Sequence, residues 1–157
     1  MIKVNVVAVG KVKENYFKQG IDEYAKRLSK YCRFTLKEIE EENYIKVDDK
    51  LIDKIKEIEA DRILKNLSGF VVIMAIEGQK ISSEKFAKTI KDLTDKGVNE
   101  ITFVIGGSYG LSDRVKNRAD IKLSFSDMTF PHTLFRLMLT EQIYRAFSIN
   151  GGSAYHK

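Results

Sequence analysis

The stretch that decides the fold is Ile101-Thr-Phe-Val-Ile-Gly-Gly-Ser-Tyr-Gly110, where a strand of buried character runs directly into glycines. A second extended stretch follows at 121–130, and Pro131-His132 then opens a helix. In open parallel sheets, ligands bind beyond the carboxyl ends of the strands, and glycines there let a ligand approach the backbone. We therefore expect a ligand pocket at this point, although the spacing alone fits a tight turn equally well.

Two further strand ends are expected to meet this pocket. Phe70–Ile76 is almost continuously apolar, which is typical of a strand covered on both faces, and Glu77-Gly78 follows it. Ser126–Pro131 follows the last strand. The glycines match neither a dinucleotide fingerprint nor a Walker loop. Without paired acids, such a pocket argues against a hydrolase, and its apolar side chains suit a flat adenine ring: Met74, Ile76, Met128 and Phe130.

Strands and helices alternate along the whole sequence. The patterns predict strands at 2–9, 33–39, 70–76, 101–105 and 121–125. They predict helices at 14–31, 48–67, between Ser82 and Gly97, and at 133–148, with a polar helical stretch at 111–118. The alternation indicates an α/β fold with a mainly parallel sheet and helices on both faces. We expect a single domain covering residues 1–157.

The net charge of +5 is unevenly distributed. Residues 1–37 hold nine Lys or Arg against three acids, whereas residues 38–65 hold ten acids against six bases. A basic face of this kind attracts phosphate backbones, so the N-terminal helix is a candidate nucleic-acid surface. A solvated helix surface with no partner is the alternative interpretation.

Composition also limits the chemistry and the compartment. The single cysteine, Cys32, cannot form an internal disulfide and has no neighbouring histidine, so we interpret it as an inert thiol in a reducing environment. The only histidines are His132 and His156, and no metal site is expected. No stretch reaches the roughly 20 apolar residues of a membrane span. The chain starts as a strand and not as a signal peptide, and we expect a cytoplasmic protein.

The last helix and the tail contain the remaining candidate residues. Four polar residues interrupt the apolar helix, and a solvated or salt-bridged face would explain them: Arg136, Glu141, Gln142 and Arg145. The tail ends with a ring, a group that titrates near neutrality and a cation, which together suit a nucleotide: Tyr155, His156 and Lys157. A disordered terminus is the alternative.

These residues together resemble a known family. The motifs cover nearly the full length: Val7-Ala-Val-Gly-Lys11, Ile76-Glu-Gly-Gln-Lys-Ile-Ser-Ser83, Ile105-Gly-Gly-Ser-Tyr-Gly-Leu111, Ser126-x-Met-Thr-Phe-Pro-His132, Glu141-Gln-Ile-Tyr-Arg-Ala-Phe147 and Tyr155-His156. With them, the chain resembles the RlmH family of SPOUT-class methyltransferases, which methylates N3 of a pseudouridine in 23S ribosomal RNA. Each motif alone is weak, but the last four in combination are highly specific.

The resemblance implies a C-terminal trefoil knot, S-adenosyl-L-methionine bound in the knot, and a homodimer. It implies that the cofactor is held by residues at the three strand ends: Met74, Gly107, Ser126, Asp127, Met128, Thr129, Phe130 and Pro131. The chain departs from the family at two positions. Ala75 stands where an acidic residue is frequent, and Lys157 stands where arginine is frequent, which removes a planar, bidentate grip on phosphate.

The implied reaction is a methyl transfer that needs no metal and no covalent enzyme intermediate. We expect His156 to act as general base or proton relay for the imide nitrogen, with Tyr155 stacking on or orienting the base. Arg136 and Lys157 are expected to stabilise charge on the imide carbonyls or to hold phosphates.

The ribosomal RNA is expected to be bound in the assembled ribosome, through the dimer and through Lys18, Lys26 and Arg27 of the basic N-terminal helix. Two alternatives stay open at this point. A related knotted methyltransferase could act on transfer RNA, and a ribosome-binding module without enzymatic activity could share the sequence.

Overall fold

The computed structural model describes residues 1–157, and its five strands form one parallel sheet in the order β2-β1-β4-β3-β5. The strands are β1 (Lys3–Val9), β2 (Arg33–Ile39), β3 (Phe70–Lys80), β4 (Glu100–Ile105) and β5 (Ile121–Ser124). The helices are α1 (Asn15–Leu28), α2 (Asp49–Leu64), α3 (Ser83–Asp95), α4 (Asp113–Lys116) and α5 (His132–Asn150). The predicted α/β class and the parallel sheet are confirmed.

Helices cover both faces of the sheet, as the alternation predicted. On one face, α1, α3 and α5 pack over residues such as Val6, Phe103 and Leu123. On the other face, α2 and α4 pack over Val7 and Val104. Because β1 and β4 are central and covered on both faces, their sequences are almost continuously apolar.

The predicted element boundaries differ from the observed ones mainly at helix ends. Asp48 and Ser82 lie just outside α2 and α3, where their side chains accept hydrogen bonds from the backbone N–H groups of Leu51 and Lys85. The polar stretch predicted to be helical at 111–118 contains only one turn, α4. In contrast, α5 is longer than predicted and has 19 residues. No helix combines the length and the apolar character needed to cross a membrane.

The largest difference is in β3, which was predicted to end at residue 76 and continues to Lys80. The pairing of β3 with β5 shifts register between Met74 and Gln79, so residues 75–78 form a bulge. At Gly78, an added Cβ would lie 2.6 Å from the backbone carbon of Leu123. Only glycine allows this close approach, and the bulge therefore directs residues 75–77 out of the sheet.

The segment from Phe125 to Pro131 brings the chain back from the edge strand β5 to the central strand β1. His132, at the start of α5, has its Nε2 atom 3.5 Å from the position that a Cβ on Gly10 would occupy. Gly10 directly follows β1, so this connection crosses the carboxyl ends of β3 and β4. The crossing creates the candidate site.

Candidate functional site

A cavity of about 360 Å³ lies at the carboxyl ends of β3, β4 and β5. Its walls come from the β3 bulge, the glycine turn, α4, the segment after β5 and the start of α5. It is lined by Met74, Ala75, Ile76, Glu77, Ile105, Gly106, Gly107, Ser108, Gly110, Leu111, Lys116, Leu123, Ser124, Phe125, Ser126, Met128, Thr129, Phe130, His132 and Phe135. The three strand ends that the sequence predicted to converge do meet in one pocket, whose size is within the range of small-molecule sites.

The glycine turn is both a tight turn and a wall of the cavity. Gly107 and Gly110 form an isolated antiparallel bridge, and the N–H of Gly110 donates to the carbonyl of Gly107 at 3.1 Å. A Cβ on Gly107 would lie 3.0 Å from Cγ1 of Val9 and 3.5 Å from Oε1 of Glu59. The missing side chain therefore faces the interior, and the backbone of Gly107 is free to face the cavity.

The segment after β5 contributes both polar and apolar residues to the cavity wall. Ser126 is fixed at two atoms, because its carbonyl accepts from Ser124 Oγ at 3.0 Å and its Oγ accepts from the N–H of Met128 at 3.0 Å. Thr129 and Phe130 also line the cavity, whereas Asp127 and Pro131 do not. Asp127 is instead paired with Lys80 at 2.5 Å. The residues predicted to hold a cofactor are therefore gathered here, with these two outside the wall.

One buried acid beside the turn was missed by the sequence reasoning. Glu59, in α2, is only 5% exposed, and its Oε2 atom accepts from the N–H of Glu42 at 3.0 Å. Burial raises the pKa of its carboxyl, against the effect of that hydrogen bond. Its place in an acidic, helix-forming segment predicts a solvated residue, and no local signal distinguishes it from the exposed acids around it.

Arg136 forms a salt bridge, as one interpretation predicted, but it is buried and not on a solvated face. Its side chain is 0% exposed, and the guanidinium donates to the carbonyls of Val9 and Gly10 at 3.2 and 3.1 Å and to the Glu38 carboxylate at 2.9 Å. Burial lowers the pKa of the guanidinium, and Glu38 opposes this effect. Arg136 is therefore not on a solvated face, and in this arrangement it has no access to an RNA base. The geometry supports a positioning role, in which it joins α5 to the ends of β1 and β2.

We predict that Arg136→Met destabilises the protein strongly. The substitution removes the Arg136 donor from the Val9 and Gly10 carbonyls and the cation from the Glu38 carboxylate, which is 34% exposed. Leaving a buried acceptor unpaired costs about 1–3 kcal/mol, so we expect a total loss of about 2 kcal/mol or more. The free energy of unfolding, from urea denaturation, measures the effect. Arg114→Met, which breaks exposed pairs with Glu57 and Asp61, is the control and should change it far less. Equal losses in both variants would contradict the positioning role.

The tail folds back onto α1, α3 and α5. The Tyr155 hydroxyl donates to Glu141 Oε1 at 3.0 Å and lies 3.3 Å from the Tyr24 hydroxyl, and burial raises its pKa. Arg145 lies over the Tyr155 ring and pairs with Glu141. Glu141 and Arg145 therefore form a salt bridge and hold the tail. The alternative interpretation, a disordered terminus, is therefore wrong for this tail.

His156 is held at both ring nitrogens. Its Nδ1 lies 3.1 Å from Nη1 of Arg145, and its Nε2 lies 2.7 Å from Oε1 of Glu84. Arginine can only donate, so Nδ1 accepts, and Nε2–H then donates to the carboxylate. Neither Tyr155 nor His156 lines the cavity of its own chain. The structure therefore separates the two predicted catalytic groups from the predicted cofactor residues.

The remaining predicted residues lie on the surface. Lys18, Lys26 and Arg27 are exposed on α1, and Lys157 is exposed at the chain end. Arg27 also pairs with Glu23 at 3.0 Å and lies over the ring of Tyr24. Cys32 is buried, and burial raises the pKa of its thiol to about 12, which fits the interpretation of an inert group.

Comparison with known proteins connects this site with a class of enzymes. The family described as "Predicted SPOUT methyltransferase" matches residues 2–156. The protein named ribosomal RNA large subunit methyltransferase H of Levilactobacillus brevis is 51% identical, over 99% of this chain and 100% of that protein. The protein of the same name from Clostridioides difficile is 48% identical, with the same coverage.

Two solved structures share the fold at low sequence identity. A probable methylase family protein from Haemophilus influenzae superposes with a TM-score of 0.51 at 11% identity, over 99% of this chain and 70% of that one. A putative methyltransferase from Legionella pneumophila, solved with the cofactor SAM bound, gives 0.50 at 9% identity, over 95% and 66%. At these identities the likeness concerns the fold alone.

Proposed function

The chain belongs to the SPOUT methyltransferase family, and on this basis we propose that it is an S-adenosyl-L-methionine-dependent enzyme that methylates N3 of a pseudouridine in 23S ribosomal RNA. The observation that carries the proposal is the cavity in which three strand ends meet. The full-length relatives named as large-subunit ribosomal RNA methyltransferases support the substrate class. The transfer RNA and non-enzymatic alternatives have no comparable support.

The cavity fits the proposed cofactor in size and in chemistry. Half of its 20 lining residues are hydrophobic, including Met74, Ile76 and Phe130, and these suit the adenine ring. The backbone of Gly107 and of the segment after β5 offers polar groups for the ring edge and the ribose. We propose that Met74, Gly107, Ser126 and residues 128–130 hold the cofactor, and that Asp127 and Pro131, which lie outside the wall, only shape this segment. When bound, S-adenosylmethionine supplies the methyl group as a sulfonium.

The residues of the chain must then bind the RNA and remove a proton from the target imide nitrogen. We propose His156 as the group that accepts this proton. The lone pair of Nδ1 is engaged by Arg145 in the folded-back tail, so this role requires the ring to leave Arg145. Tyr155 would stack on the target base, and Lys157 would hold a phosphate. Alignment of donor and acceptor supplies most of the remaining rate enhancement.

We propose that the enzyme is a homodimer and that its second copy brings the tail to the cavity. The support is the separation of His156 and Tyr155 from the cavity of their own chain. The side of α5 beside the tail also leaves Leu137 and Met138 half-buried around a second cavity of about 460 Å³. Apolar side chains on a helix that already packs on the sheet are suited to a subunit contact.

We also propose that the C-terminal part forms the trefoil knot that the family resemblance implies. The supporting geometry is the return of the chain from the edge strand β5, across the ends of β3 and β4, to Gly10 beside β1. This crossing encloses the cavity on the side of residues 125–131. Knots are almost absent from proteins, so the expectation rests on the family and not on general topology rules.

The proposed function is tested by two measurements on the purified protein. Calorimetric titration with S-adenosylmethionine should give saturable binding. Transfer of labelled methyl groups should then occur to ribosomes that lack the modification, with the label mapped to N3 of one pseudouridine in 23S RNA. Label in transfer RNA and not in ribosomes would support the first alternative. Failure to bind the cofactor would favour the ribosome-binding module.

We predict that the basic face of α1 contributes to RNA affinity through counterion release. Replacing Lys18, Lys26 and Arg27 by Ala together should weaken ribosome binding and reduce the slope of log affinity against log salt by about one unit for each phosphate that is no longer neutralised. Binding measured at several salt concentrations gives the slope. Replacing Lys88, Lys91 and Lys96, in and just after α3, removes the same charge and is the control. Equal slopes for the two triple variants would exclude the α1 face.

A further inference from the structure

The cavity wall contains just one acidic and one basic side chain apart from His132, and they are paired with each other. Glu77 comes from the β3 bulge and Lys116 from the end of α4, and Oε1 of Glu77 lies 2.7 Å from Nζ of Lys116. All other lining residues are apolar, glycine, serine or threonine. This single ion pair on an otherwise uncharged wall has no role in the cofactor contacts proposed above.

The proposed cofactor carries a matching pair of charges. Its amino-acid end has one ammonium and one carboxylate, while its adenosine part is uncharged. We propose that Glu77 and Lys116 bind this amino-acid end, with Lys116 contacting the carboxylate and Glu77 contacting the ammonium. This inference rests on the proposed function and extends it to the recognition of one end of the cofactor.

The burial of the two side chains suits an exchange of partners. The Glu77 side chain is 52% exposed and that of Lys116 is 26% exposed, so their mutual pairing contributes little stability and can open at little cost. On binding, each charge would replace one ionic partner by another and remain hydrated in part. The Lys116 hydrogen bond lowers the pKa of Glu77, so the carboxylate is ionised at neutral pH.

The surrounding structure fixes the positions of both groups. Arg114, also in α4, is bound by Glu57 at 2.6 Å and by Asp61 at 2.9 Å, which holds this single helical turn against α2. On the other side, the close contact of Gly78 with Leu123 fixes the bulge that carries Glu77. The two charges are therefore presented by anchored segments, on two different walls of one cavity.

Two ligands that differ at the amino-acid end test this assignment. S-adenosylhomocysteine has that end, whereas methylthioadenosine contains the same nucleoside and a thioether but neither charge. Measured by calorimetry, Lys116→Ala and Glu77→Gln should each lower the affinity for S-adenosylhomocysteine by about tenfold, which is the effect of one charge-assisted hydrogen bond. The affinity for methylthioadenosine should not change. Lys116→Arg should retain most of the affinity.

Arg118→Ala is the matched control, because Arg118 is exposed, lies two residues after Lys116 and does not line the cavity. It should bind both ligands as the wild type does. Equal weakening of both ligands by Lys116→Ala would show that the pair only shapes the wall, and unchanged binding of S-adenosylhomocysteine would exclude any contact. Either result overturns the inference and leaves the proposed function intact. A wild type that binds neither ligand overturns both.

Discussion

Gly107→Leu should weaken the binding of S-adenosylmethionine by about 100-fold. A Cβ at this position would lie 3.0 Å from Val9 Cγ1, and the larger side chain would have to enter the space between Val9 and Glu59. The turn must move instead, and with it the backbone that lines the cavity. Overpacking costs about 1–3 kcal/mol, and each 1.4 kcal/mol is a tenfold change in affinity, so we expect a loss of about 100-fold.

Calorimetric titration measures this loss, and thermal unfolding of the same samples distinguishes a displaced turn from an unfolded chain. Gly107→Ala should give an intermediate affinity, because its single added carbon requires Val9 to move by only a few tenths of an ångström. Gly97→Asn is the control for backbone strain without a clash: Gly97 follows α3 at a φ of +91°, which strains any side chain but asparagine less than most, and no atom lies within 4 Å of its Cβ position. It should lower the stability slightly and leave cofactor affinity unchanged. Wild-type affinity in a folded Gly107→Leu protein would contradict the proposed cofactor site.

The sequence predicted the sheet well because its signals are local. β2 was predicted at its observed boundaries, and β1, β4 and β5 within a residue or two. Strands covered on both faces have continuous apolar runs, and edge strands such as β2 alternate, so both kinds are visible in the sequence. The extension of β3 to Lys80 could not be predicted in this way. It depends on the contact between Gly78 and Leu123, two residues far apart in the chain, and a glycine after a strand ordinarily indicates its end.

The site could be predicted where it consists of strand ends, and not where it depends on burial. Three strand ends were predicted to meet in one pocket, the family resemblance placed Met74, Gly107 and Ser126 there, and all three line one cavity. Arg136 and Glu59 look like ordinary polar residues of amphipathic helices, yet both are buried by distant partners. Burial of a charge depends on the tertiary structure around it, and periodicity contains no information about which charged residue is buried.

His156→Ala should lower the turnover number by about 100- to 10,000-fold, the usual contribution of a general base, and leave cofactor affinity nearly unchanged. The separation of the two effects follows from the structure, since His156 does not line the cavity of its own chain. Single-turnover methylation of ribosomes measures the rate, and calorimetry measures the affinity. Glu84→Gln is the control, because it removes the charge on the carboxylate that holds Nε2 but keeps the imidazole. Equal loss of rate and affinity in His156→Ala would exclude the role of base.

The proposed dimer predicts that His156→Ala can be complemented by a second variant. If the tail of one copy serves the cavity of the other, His156→Ala and Gly107→Leu damage different halves of each site. Mixed, refolded dimers would then contain one site with an intact cavity and an intact tail. Random pairing gives such mixed dimers half of the time. At a cofactor concentration that saturates the wild type but not Gly107→Leu, the mixture should therefore recover about a quarter of wild-type activity from two nearly inactive proteins. If each chain instead supplies its own tail, every site in the mixture contains one defect, and no activity returns.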